Sequence, residues 1–139
     1  QQEAAFAVLH PDVYTESSNE SSLVLYAELG GKSWLFTGDL GDSGERLLLE
    51  AYPGLKADIL KVGHHGSKHS STAEFLKLIE AEAAVISAGA DNRYGHPHPD
   101  VLKRLEEAGI EEVYRTDEMG AVSYTYFHRK SGTFSSALP

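Results

Sequence analysis

Residues 58–71 read DILKVGHHGSKHSS, and this stretch decides the fold. Its start completes ADILKV (57–62), a short apolar run that reads as a buried strand. Two histidines, a glycine and a serine-rich tail follow at once. Polar residues just past a strand end are where α/β folds gather their sites. The same layout recurs on either side, in WLFTGDLGD (34–42) and VISAGADNRYGHPHPD (85–100). A helix signal follows each strand. Asp42-Ser43-Gly44-Glu45 has the spacing of a capping box and opens a helix that Pro53-Gly54 stops. Ser71-Thr72-Ala73-Glu74 repeats the pattern and opens a helix to about Glu82. Pro99 suits the first position of the helix DVLKRLEEA, which Gly109 closes.

Antiparallel signals flank this middle. SLVLYAEL (22–29) and KSWLFTG (32–38) form a β-hairpin about Gly30-Gly31, a pair suited to a two-residue turn with positive φ. AFAVL (5–9) is a strand ending near Pro11, and TESSNESS (15–22) is a polar loop. EEVYRT (111–116) is a short strand. AVSYTYF (121–127) alternates, and HRKSG (128–132) turns it back into TFSS. Strands alternating with helices between hairpins predict an α/β (α+β) sandwich, with helices on a mixed sheet, as a single domain over residues 1–139.

Composition narrows the chemistry. The 139 residues are 41% hydrophobic and 24% charged, which suits a packed globular domain and excludes a disordered chain. There is no cysteine, so a metal must be held by His, Asp, Glu or Asn. No apolar run reaches the 18 or more residues of a membrane span, and QQEAAFAVLHPD does not read as a signal peptide. The net charge of −9 disfavours general nucleic-acid binding. Residues 56–69 nevertheless carry three lysines and three histidines against Asp58, and a basic patch on an acidic body can meet a phosphate.

Three positions carry candidate chemistry. Asp39 can cap the next helix, or it can offer one carboxylate oxygen to each of two metal ions. His64 and His65 stand at a strand end, where both rings can reach one pocket and neutral imidazole is a good ligand for divalent ions. Ser67 beside them can orient an imidazole or donate to a phosphate oxygen. His96 lies in the rigid Gly95–Pro99 loop at a helix N-terminus, an end that attracts anions, and can donate to a phosphate or protonate a leaving group. His98 reads as a helix cap. His10, His69 and His128 read as solvated, Trp34 as core, and Tyr14, Tyr94, Tyr114, Tyr124 and Tyr126 as wall or core.

Taken in order, NESSLVLYAELGGKSWLFTGDL, DILKVGHHGSKHSS, VISAGADNRYGHPHPDVLKRL and EEVYRTDEMGAV resemble the C-terminal part of ComEC-type competence proteins. The resemblance runs from about Val8 to Phe127. It implies a metallo-β-lactamase-like αββα hydrolase fold with two divalent ions, manganese or zinc, between its sheets. Asp39 then matches the bridging aspartate, His65 the metal-binding histidine, and Asn19 a further ligand position. His64 then faces the substrate phosphate, and His96 matches the loop histidine near the pocket. The fold's main metal motif, His-x-(His/Asp)-x-Asp-His, is absent from this chain, so the resemblance covers the second half of the domain. It implies a nuclease-like phosphodiesterase acting on single-stranded DNA during uptake in natural transformation. The parent would be a bacterial membrane protein with this domain soluble on the extracytoplasmic side. The implied partners are the domain's N-terminal half, the parent's membrane-spanning region and, for the chain alone, a second copy. The 139 residues are expected to bind metal poorly and to be inactive by themselves. The competing readings are an esterase for small or cell-wall phosphoesters and a metal-free binding module.

Overall fold

The computed structural model describes residues 5–11, 19–127 and 130–139. Tyr14, residues 15–18 of the polar loop, and His128 and Arg129 of the HRKSG turn lie outside them. Six strands form one sheet: β1 (Ala5–His10), β2 (Val24–Leu29), β3 (Lys32–Phe36), β4 (Ile59–Lys61), β5 (Ala83–Ile86) and β6 (Glu112–Arg115), in that spatial order. β1 pairs antiparallel with β2 and β2 with β3, and β3 to β6 are parallel. The helices α1 (Asp42–Ala51), α2 (Ala73–Ile79) and α3 (Pro99–Glu107) make the three crossovers between parallel strands. The order advances in one direction, so right-handed crossovers put all three helices on one face of the sheet. A one-turn helix α4 (Thr116–Met119) follows β6, and β7 (Val122–Thr125) pairs with β8 (Thr133–Ser136) as a separate antiparallel ribbon. Among the described residues, no helix is long and apolar enough to cross a membrane.

Side-chain alternation sorts the strands into two cores. Leu35, Leu60, Ala84 and Ile86 point towards the helices and meet Leu48 of α1, Phe75, Leu76 and Ile79 of α2, and Val101 and Leu105 of α3. Burying each of the larger side chains contributes roughly 1.5–3 kcal/mol. The opposite face carries Ala27, Trp34, Ile59 and Ala83 in register, and the β7–β8 ribbon covers them with Tyr124 and Phe134. Trp34 meets Tyr124 edge-on at 5.0 Å, and Tyr114 stacks on Phe134 at 4.1 Å. On that same face, Phe6 and Val8 of β1 remain 62% and 63% exposed.

The expected strands and the Gly30-Gly31 hairpin are present, and Pro99 opens α3 with the His98 side chain accepting from the Asp100 amide. Both capping boxes differ from expectation. Gly41, not Asp42, is the N-cap of α1, and it makes no side-chain cap. Thr72, not Ser71, caps α2 by accepting from the Phe75 amide, and α2 ends at Ile79. Glu45 does not turn back on its own helix. It is buried, and its two oxygens accept the backbone N–H groups of Ser71 and Thr72 at the start of α2. Burial pushes the Glu45 carboxyl above its usual range, and the bonds from Thr72 and Ser71 oppose that rise. His10 is paired rather than free, its Nε2 donating to the Glu20 carbonyl at 2.6 Å.

Glu45→Ala would strand the buried Ser71 N–H and the half-buried Thr72 N–H and leave a void. The expected loss is about 2–5 kcal/mol, read as a lower urea midpoint at unchanged slope. Glu45→Gln, which keeps one oxygen acceptor, should lose less. A loss under about 1 kcal/mol for Glu45→Ala would mean the loop before α2 is held by other contacts.

Candidate functional site

Parallel strands end at a common edge, and that edge carries the candidate residues. Asp39 follows β3, His64 and His65 follow β4, and the 87–98 segment follows β5. Asp39 is held by its own backbone, whose N–H donates to Ser22 Oγ at 2.8 Å. Gly38 before it has φ +56°, and a Cβ there would lie 2.4 Å from the same hydroxyl.

His64 and His65 do not continue the strand. They occupy a single 3₁₀-like turn, Gly63–Gly66, with φ of 47° and 56°. Left-handed backbone at two successive non-glycine residues costs of order 1–3 kcal/mol each and persists only where surrounding structure enforces it. The enforcing contacts are visible. The His64 N–H donates to the Gly38 carbonyl at 2.8 Å, and the His98 N–H donates to the Gly66 carbonyl at 2.8 Å. Gly66 has φ +84°, and a Cβ there would sit 2.6 Å from Pro97 Cβ, so only glycine lets the two loops meet.

This turn aims both rings at one place. His65 Nδ1 donates to the Ser87 carbonyl at 2.8 Å, which turns Nε2 away from Ser87. That Nε2 lies 3.8 Å from Asp39 Oδ1. The His64 ring stands 6.4 Å from His65 and 6.0 Å from His96. The Ser87 carbonyl is itself fixed from the start of α4, just past β6, because Thr116 Oγ1 donates to the Ala88 carbonyl at 2.8 Å and accepts from the Ala88 amide at 3.0 Å. Asp39, His64, His65 and His96 thus converge. Ser67 does not join them: it is buried under the turn, and its hydroxyl accepts from the His69 amide at 3.4 Å. Asn19 is exposed on the turn leading to Ser22, which donates its N–H to the Asn19 carbonyl at 3.1 Å.

Two residues enter the picture that sequence reasoning placed elsewhere. Lys61 is half-buried on β4, directly before the histidine turn. Burial pushes its amine down, and the charge of Asp39 opposes the shift. A lysine ending an otherwise buried strand was the available signal. Tyr94, expected in wall or core, is 66% exposed and stacks on His96.

The family model of the metallo-beta-lactamase superfamily matches residues 7–90, and the chain belongs to that superfamily. The matched stretch includes Asp39, His64 and His65. Among individual relatives, the chain is 49% identical over 135 residues to ComE operon protein 3 of Bacillus subtilis, covering 96% of this chain and 17% of that protein. It is 42% identical over 107 residues to competence protein ComA of Neisseria gonorrhoeae, covering 76% and 15%. It is 34% identical over 123 residues to recombination protein 2 of Haemophilus influenzae, covering 88% and 15%. The chain therefore spans about a sixth of the length of these curated relatives.

Members of this superfamily generally bind divalent metals. Asp39 and His65 have the right chemistry and face each other, but they are two donors. A closed zinc site takes about four ligands, and among the described residues no group of three or more His, Cys, Asp or Glu could hold an ion. The residues present fit one side of a metal site, not a complete one.

Burial pushes His96 below the ordinary imidazole value of 6.5, and His64, His65 and His98 nearby push it the same way. The folded chain therefore binds this proton less readily than the unfolded chain. Its contribution to stability is full above about 6.5 and is lost as pH falls below that. The ring protons of His96 should titrate with a midpoint under 6.5 by NMR; a midpoint at or above 6.5 would mean the ring is not desolvated.

Proposed function

We propose that this chain is the portion of a metal-dependent phosphodiesterase domain that carries its substrate-facing histidines, acting on DNA in a competence protein. The observation that carries the reading is the convergence of the Asp39–His65 pair with the His64 and His96 rings at one strand edge. The name of one relative, competence protein ComA, supports a role in competence, and with it the reading of DNA as the substrate. Asp39 and His65 are the metal donors this chain contributes, with Asn19 on the adjoining turn as a further candidate.

A bound pair of divalent ions is the usual means of hydrolysing such esters. The chain's own residues do the rest of the positioning. His64 offers its ring to a phosphate oxygen. His96, kept mainly neutral near pH 7, can donate an N–H without adding charge or hand a proton to a leaving oxygen. Ser67 acts from beneath, shaping the turn that carries both histidines.

The remaining donors would come from an N-terminal half of the same domain. Its docking surface would be the open sheet face at Phe6 and Val8, which is apolar and lies beyond the cover of the β7–β8 ribbon. In the parent protein that domain would be tethered to a membrane-spanning region and would work outside the cytoplasm.

The test compares this chain with one extended N-terminally by about a hundred residues, a half-domain on ordinary scales. Each is assayed for manganese- and zinc-dependent cleavage of a labelled single-stranded oligonucleotide, with and without Asp39→Ala. The expected result is cleavage by the longer protein alone, falling by at least about a hundredfold with Asp39→Ala. Metal binding without DNA cleavage would turn the reading to small or cell-wall phosphoesters. No metal binding by the longer protein would turn it to a metal-free binding module.

A further inference from the structure

We propose that Tyr94, together with Arg93, is a stacking platform for a nucleobase of a single-stranded nucleic acid, one ring outward from the phosphate-facing histidines. The inference rests on the reading that the substrate is a DNA strand and names how that strand is held.

A lone exposed tyrosine needs no explanation. Tyr94 differs in its neighbours. Trp34, Tyr114, Tyr124 and Phe134 are packed together on the sheet, whereas Tyr94 is 66% exposed and belongs to neither core. It lies almost parallel to His96, at 5.9 Å and 28°. His96 in turn stands 6.0 Å from His64. A continuous series of rings therefore leads from Tyr94 to the Asp39–His65 pair. A cavity of about 400 Å³ lies alongside, lined by His65, Ser87, Asn92, Tyr94 and His96. That size falls in the range of small-ligand sites.

The loop is rigid where it matters. Asn92 Nδ2 donates to the carbonyls of Gly89 and His96, and Asn92 Oδ1 accepts from the His96 amide at 3.0 Å. The Gly95 amide closes the turn onto the Asn92 carbonyl at 3.2 Å. An aromatic ring on so fixed a loop loses little freedom on binding. Arg93 donates from Nη2 to Tyr94 Oη at 2.8 Å, with its guanidinium carbon 5.0 Å from the ring centre. A cation beside an aromatic face is the combination that holds single strands, because it meets both the backbone charge and any base's π-face. Such a platform is indifferent to sequence, which suits a strand-processing site.

The experiment titrates the chain with a short oligo-dT and with an abasic strand of equal length, followed by NMR and fluorescence anisotropy at low salt. Stacking on one aromatic side chain is worth about 5- to 150-fold by alanine substitution. Oligo-dT should therefore bind at least about fivefold tighter than the abasic strand. It should also shift the Tyr94 ring protons. Tyr94→Ala should bring oligo-dT down to the abasic level, and Tyr94→Phe should preserve the difference. Equal binding of both strands would overturn the platform and leave the DNA reading standing. So would an unchanged preference in Tyr94→Ala. No binding of either strand would overturn the platform as well, and the DNA reading would fall with it only if the longer protein also fails to cleave.

Discussion

The buried Glu45 carboxylate, accepting the backbone amides of Ser71 and Thr72, is the interaction on which the rest of the site depends. It ties α1 to the start of α2 and so fixes one end of the segment that carries His64 and His65. The same segment is closed on itself. Ser70 Oγ donates to the Gly63 carbonyl at 2.9 Å, and the Gly63 amide donates to Ser71 Oγ at 3.3 Å. Neighbouring helices hold its middle. The Asp42 amide donates to the His69 carbonyl, and Arg104 Nη2 of α3 donates to the Lys68 carbonyl at 3.0 Å. A carboxylate in a dry interior is costly unless its oxygens are satisfied. Here both are, by N–H groups that otherwise would have no helical partner.

Topology then converts these local ties into one site. Four parallel strands deliver their exits to a single edge, and each exit loop holds the next. Thr116, just past the end of β6, fixes Ala88, and the adjoining Ser87 carbonyl fixes the His65 ring. The orientation of the ring facing Asp39 is thus set from two strands away. A partner that fixes the second nitrogen of an imidazole also raises the basicity of the ring, so Thr116 and Ser87 tune the nitrogen that His65 turns to Asp39.

Much of this was legible in the sequence, for identifiable reasons. The strand exits bearing Asp39, His64–His65 and His96 were readable because short apolar runs and Gly-rich breaks are strong local signals. Pro99 and the His98 cap were readable because N-terminal helix chemistry is local. The role of Glu45 was not. Its spacing from Asp42 satisfies the capping-box pattern equally well, and its partners lie 26 and 27 residues away. The left-handed histidine turn was equally hidden, since no local rule favours it. Tyr94 was misread because aromatic residues usually serve a core, and only the Asn92-braced loop that carries it past the sheet edge decides otherwise.

Strain and support can be set against each other. Two left-handed histidines cost of order 1–3 kcal/mol each. Hydrogen bonds to a charged acceptor contribute about 1.5–3 kcal/mol each, and Glu45 supplies two. The magnitudes are of one order, and the bonds of His64 to Gly38, His98 to Gly66 and Ser70 to Gly63 add to the support. A change that weakens the Glu45 contacts would let the turn relax towards ordinary extended backbone before the sheet or helices are lost. In a relaxed turn, consecutive side chains again point to opposite faces, and His65 would leave Asp39. The fold and the site therefore have separate thresholds of stability. The site fails first, because its geometry depends on one buried carboxylate and a few loop hydrogen bonds, whereas the sheet and helices rest on many apolar contacts.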